Sequence, residues 1–134
     1  MNGHLFRMFY EDFARYKLAE YWGVKVDDII HLNKIDPISV YDLKFNEFKI
    51  DVKFSSPVIV IKNHKPIWDF SLRKIHKNKR TGQNNECDYF FLIGMKNGIP
   101  KSIYLIPSKD SPTNHLRIPL TKESKYEKYL IFGD

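Results

Sequence analysis

Only one cysteine, Cys87, occurs in 134 residues, which excludes an intramolecular disulfide and any multi-cysteine zinc site. Glycine and proline number six and seven, too few for a collagen-like, linker-type or disordered chain. The longest uninterrupted apolar stretches are Val58 to Ile61 and Tyr89 to Ile93, far below the ~20 residues that cross a bilayer. No glycine-rich phosphate loop and no Gly-x-Ser-x-Gly elbow is present, which disfavours a nucleotide triphosphatase, a serine hydrolase and a nucleotide cofactor. Arg7, Glu11 and Asp12 stand where a secretory signal needs its apolar segment. With the lone cysteine, this leads us to expect an intracellular, cytoplasmic protein with no membrane partner. What is present is ample apolar content: 43% of residues are hydrophobic and 28% charged. Two separate cores would leave each half marginally small, so a single domain over residues 1–134 is expected. Lys and Arg number 22 against 16 Asp and Glu, a formal charge of +6, which favours a polyanionic partner or reflects only solvated lysines.

Between Leu5 and Trp22 there is no Gly or Pro, and Phe6, Phe9, Phe13, Ala14 and Tyr21 recur at helical steps. This predicts an amphipathic helix ending at Gly23. After a less legible stretch containing Asp36-Pro37, the segments Val40 to Phe45 and Phe48 to Phe54 alternate apolar with polar residues, predicting two strands joined at Asn46-Glu47. Val58 to Ile61 and Ile67 to Leu72 read as further strands. Asp88 to Met95 and Ser102 to Ile106 read as an antiparallel pair about an Asn97-Gly98 turn. Ser124 to Glu127 matches a capping box before a short helix through Leu130. The expected class is α/β in the mixed α+β sense, a central mixed sheet with an N-terminal helix and a short C-terminal helix.

In a hairpin centred on Asn46-Glu47, Phe45 faces Phe48, Leu43 faces Ile50 and Tyr41 faces Val52, an entirely apolar side. The other side pairs Lys44 with Lys49, Asp42 with Asp51 and Val40 with Lys53. The two aspartate Cβ atoms would lie roughly 4.5–5.5 Å apart, a repulsive placement unless something positive intervenes. A divalent cation such as Mg²⁺ would relieve it, bound through one or two carboxylates with waters and phosphate oxygens. A plain solvated face is the other reading, since carboxylates and lysines are ordinary there.

A helix bearing a Glu, then Asp42, then Ile50-Asp51-Val52-Lys53 on the following strand resembles the PD-(D/E)XK, or restriction-endonuclease-like, nuclease superfamily. That superfamily includes restriction enzymes, Holliday-junction resolvases and homing endonucleases. The wider order is similar too: Glu11 opening a helix that closes at Gly23, Val40 to Leu43, Asp51 to Ser56, Trp68-Asp69-Phe70, and Cys87 to Ile93, about residues 3 to 107 in all. The family's Pro is absent, since Tyr41 precedes Asp42. Glu11 fits the helix-borne carboxylate by its distance from Gly23; Glu20 lies on the same helix, turned away by roughly 180°, and only one of them can point at the hairpin. The resemblance implies a Mg²⁺-dependent DNA endonuclease, with Mn²⁺ able to substitute. Asp42, Asp51 and the Val52 carbonyl would hold the metal, Lys53 would orient the attacking water and stabilise phosphate charge, and Glu11 would hold a water or second metal. Ser55 and Ser56 would donate to a phosphate, or else serve only as turn residues after the strand. A homodimer is expected, because so short a chain has little surface for both cutting and gripping.

From Arg73 to Arg80 there are five cations, Arg73, Lys74, Lys77, Lys79 and Arg80, with no acid between Asp69 and Glu86. The stretch, with Thr81 to Asn85, reads as a loop, either simply solvated or, beside a phosphate-cleaving site, in contact with the DNA backbone. Histidines 31, 64, 76 and 115 show no metal-binding spacing and are expected at the surface. Cys87 reads as a buried structural thiol, and Tyr89, Phe90 and Phe91 as core.

Overall fold

The computed structural model describes residues 3–36, 41–62, 64–76, 79–82, 87–120 and 124–133. A long helix, α1 (Gly3–Trp22), ends at Gly23, whose φ of +67° is the left-handed conformation that stops a helix. Strand β1 (Ile29–His31) and one helical turn, α2 (Leu32–Ile35), follow. Next come β2 (Leu43–Phe45), β3 (Phe48–Ser55), β4 (Pro57–Val58) and β5 (Ile67–Ser71). The chain continues through β6 (Arg73–His76), β7 (Lys79–Gly82), β8 (Tyr89–Lys96), β9 (Ile99–Pro107), β10 (His115–Pro119) and β11 (Leu130–Phe132). A six-stranded sheet runs β1-β2-β3-β8-β9-β11, a three-stranded sheet runs β10-β5-β4, and β6-β7 is a separate hairpin. Among the described residues, only β3 and β8 pair in parallel within the large sheet, so the architecture is α+β about a mixed sheet, as expected. No described helix is long and apolar enough to cross a membrane.

The large sheet is covered on both faces. On one, α1 places Tyr10, Ala14, Leu18 and Ala19 against Ile50, Val52, Phe91, Ile93, Ile103 and Leu105. This differs from the predicted stripe: Phe9 and Tyr21 are more than half exposed, because the two alanines let that side of the helix lie closer to the sheet. On the other face Trp68, Phe70, Leu116 and Ile118 of the smaller sheet pack on Phe90, Leu92, Tyr104 and Ile106. Burial on both sides explains why β8 is a nearly continuous apolar run. The two sheets meet at Gly94. A Cβ there would fall 2.6 Å from the Trp68 ring, and the Trp68 indole N–H donates to Met95 O at 2.8 Å.

Leu43↔Ile50, Lys44↔Lys49 and Phe45↔Phe48 pair in the expected register. The turn needs a positive φ only at Asn46 (+52°), so Glu47 poses no obstacle. Four expectations change. The basic stretch is not a loop throughout, since its backbone forms the β6-β7 ladder from Arg73↔Gly82 to His76↔Lys79, which satisfies its amides internally. Residues 83–86 lie outside the described residues. Of Val58 to Ile61, only Val58 pairs, and Ile59 to Ile61 are exposed. The C-terminal helix is one 3-10 turn, Glu127–Tyr129, before β11. Ser124 Oγ accepts the Tyr126 N–H, and the Glu127 N–H goes to Ser124 O, which makes a turn where a capping box was expected. Leu130-Ile131-Phe132 then extends the sheet beside β9.

Candidate active site

The ladder between β2 and β3 stops at Leu43. Tyr41 joins the opposite core cluster instead of facing Val52, and the Asp42 N–H donates to Ile50 O at 3.2 Å. Asp42 thereby turns its carboxylate onto the edge of β3, where Oδ2 accepts the Val52 N–H at 2.7 Å. A short acidic side chain here takes the place of a backbone partner. The Val52 carbonyl leaves the strand on the same side as its N–H, toward Asp42.

Two other elements close on this carboxylate. Asn33 of α2 donates from Nδ2 to Asp42 Oδ1 at 2.7 Å and to Glu11 Oε1 at 3.1 Å. His31, at the end of β1, sets Nε2 2.6 Å from Glu11 Oε1 and Nδ1 3.0 Å from Asp12 Oδ1. Asp12 also accepts from Lys34 Nζ at 2.5 Å and Arg15 Nη1 at 3.2 Å. Arg15 is fixed by the carbonyls of Ile29 and Val26. A continuous chain of polar contacts therefore runs Val52, Asp42, Asn33, Glu11, His31, Asp12. Glu11, His31 and Asp42 are each less than 10% exposed. Burial raises the Glu11 carboxyl above its ordinary range, the negative Asp42 adds to this, and hydrogen bonds from His31 and Asn33 oppose it. Glu20 is exposed on another side of α1 beside Lys17.

Among the described residues, no three His, Cys, Asp or Glu side chains form a ready-made metal cage. Mg²⁺ does not require one, because one or two carboxylates and waters suffice. Glu11 and Asp42 meet that need: both offer hard oxygen donors, both are buried, and their mutual repulsion is the kind a divalent cation relieves.

No known protein family, curated protein or solved structure gives a significant match to this chain.

The remaining expected residues are placed unevenly. Asp51 and Lys53 flank Val52 on β3 and project to the face opposite the Val52 side chain. That face was expected to be open beside Asp42. Instead Asp51 is fully buried, near the Cys87 thiol, and Lys53 is half-buried. Ser55 is buried as well: its hydroxyl donates to Ser56 O at 2.8 Å and accepts the Asp69 N–H at 3.0 Å. It ties β3 to β5, and its proton is already committed, so it is not the phosphate donor expected. Lys77 lies outside the described residues, as do the side chains of Arg73, Lys74, Lys79 and Arg80. Cys87 is buried, and its thiol is pushed well up by burial first and by Asp51 second. His31 is the clear departure among the histidines, since it was expected at the surface and is buried between two carboxylates. Asn33 and Asp12 carried no sequence signal.

Asp12 gives a pH prediction. Its partial burial works upward, but hydrogen bonds from Lys34, His31 and Arg15 outweigh it and hold the carboxyl below the ordinary aspartate range. A depressed folded-state value means stability that is present above the unfolded pKa of about 3.9 and lost as pH falls through the lower folded value. In urea titrations between pH 2 and 6, the wild-type midpoint should therefore fall toward acid more steeply than that of Asp12→Asn. Parallel profiles would remove Asp12 from this account.

Proposed function

We propose that the chain is a metal-dependent DNA endonuclease that hydrolyses phosphodiester bonds, with Mg²⁺ as its cation and Mn²⁺ as a substitute. The observation that supports it most is the meeting of Glu11 and Asp42 on one amide at the edge of β3, between the positions of Asp51 and Lys53. Glu11, Asp42 and the Val52 carbonyl would hold the cation. When bound, a hard divalent cation supplies Lewis-acid charge at a phosphate and lowers the pKa of a water. The protein's own share is positional and electrostatic. Lys53 carries the positive charge suited to a phosphate that becomes more negative during in-line attack. Burial keeps the carboxylates in a medium where charge acts strongly. The cations of the β6-β7 stretch and the +6 formal charge suit a polyanionic backbone.

A second reading is a catalytically silent nucleic-acid-binding protein. It is favoured by two observations: both Asp42 oxygens already accept protein N–H groups, and Asp51 is sealed from solvent. Supercoiled plasmid and a synthetic four-way junction, incubated with Mg²⁺ or with chelator, separate the two. The expected result is Mg²⁺-dependent nicking that is lost in Asp42→Asn, which keeps an oxygen for the Val52 N–H. Binding of both DNAs with no cleavage in Mg²⁺ or Mn²⁺ would select the silent reading, and a strong preference for the junction would mark a resolvase.

A further inference from the structure

Asp12 and the Glu11–Asp42 pair are satisfied in different ways. Asp12 is met by the full cations Lys34 and Arg15. Among the described residues, Asp42 is met by neutral donors, the Asn33 amide and the Val52 backbone N–H. Glu11 shares that same amide and is backed by His31. Cations placed here would cancel the carboxylate charge, whereas an amide fixes the oxygens and leaves the charge in place. A side-chain amide nitrogen carries two hydrogens and no lone pair to offer, so it can serve two anions and cannot repel either. From the two bond lengths, Glu11 Oε1 and Asp42 Oδ1 lie no more than about 6 Å apart. Each carboxylate oxygen accepts two bonds. His31 and Asn33 together fill Glu11 Oε1, so these contacts leave Glu11 Oε2 and one lone pair on each Asp42 oxygen for a ligand.

We propose that Asn33 is a positioning residue of the cation site. By tying Glu11 of α1 to Asp42 of the β2 edge, it holds two mutually repelling carboxylates together before any cation arrives. The inference rests on the metal-site reading above and adds a residue to it. Without the amide, repulsion drives the two carboxylates apart, and the cation must then restore the geometry at the expense of its own affinity. Groups that orient ligating carboxylates typically change metal affinity about 10–100-fold when removed.

The test is Mn²⁺ titration of the full chain, followed by the electron paramagnetic resonance signal of free Mn²⁺. Wild type would be compared with Asn33→Leu, Asn33→Ala and Asn33→Gln, with folding of each checked by circular dichroism. Asn33 lies on the half-exposed turn α2, and Leu and Ala together separate loss of volume from loss of the amide. The expected result is a Mn²⁺ dissociation constant raised about 10–100-fold in both the Leu and Ala variants, with part of the loss recovered in Asn33→Gln. A purely structural role would lower the melting temperature and leave the affinity of the folded protein unchanged. Wild-type binding that is matched or exceeded by Asn33→Leu overturns the proposal while leaving the cation site standing, because the amide would then compete with the cation. Absence of Mn²⁺ binding by the wild type overturns the site and the proposal together.

Discussion

Trp68→Ala is expected to cost about 3–5 kcal/mol of folding stability. Trp68 is 1% exposed, and its ring fills the space that the missing side chain of Gly94 leaves on β8. Truncation opens a cavity between the two sheets, and the rigid backbone beside it collapses only partly. It also strands Met95 O, which accepts the indole N–H. Domains of this kind have about 5–15 kcal/mol in all, so about a fifth or more of the total is at stake, and the urea midpoint should drop by about 2 M. Trp68→Phe separates the two contributions: it keeps most of the ring and removes the donor, and about 1–3 kcal/mol should be lost. Equal stability of wild type and Trp68→Ala would mean that the smaller sheet does not depend on this joint.

Under the proposed nuclease reading, Lys53→Met is expected to slow cleavage by about 10²–10³-fold in single-turnover reactions with Mg²⁺, the range seen when one preorganised group facing developing charge is removed. The methionine keeps the length and most of the apolar stem of a half-buried residue, so fold and Mn²⁺ affinity should stay close to wild type. That combination distinguishes Lys53 from Asn33, whose loss should act through the cation. An unchanged rate would remove Lys53 from the chemistry.

The hairpin was legible in the sequence because its signals are local. Leu43 and Phe45 alternate with polar neighbours, Phe48 and Ile50 mirror them, and Asn46 tolerates the turn, so the register follows from a few adjacent residues. Glu11 was legible too, through its place on a helix that ends at a glycine. His31 and Asn33 were not. Their contacts with Glu11 span 20 and 22 residues, and they sit on β1 and α2, elements of three and four residues too short to show a period. The burial of Asp51 was hidden for a different reason: it depends on distant parts of the chain, Cys87 among them, and nothing within β3 announces it. Ser55 follows the same logic, because its hydroxyl is claimed by a backbone amide of β5. The resemblance to PD-(D/E)XK nucleases rests on Asp42, Asp51 and Lys53 as a pattern. The structure places those residues around Val52, with Asp42 at the strand edge and the other two on the covered face.

The parallel pairing of β3 with β8 also fixes an order of events in folding. The whole excursion through β4, β5, β6 and β7 must loop back before the central ladder can zip, and closure entropy makes such distant strands slow to meet. Glu11, Asn33, Asp42, Asp51 and Lys53 all precede that loop. A chain emerging from synthesis would thus hold every proposed carboxylate and the lysine well before it holds β8, the strand that seats β3. Competence at this site would arrive late, when the far half of the chain has closed on the near half.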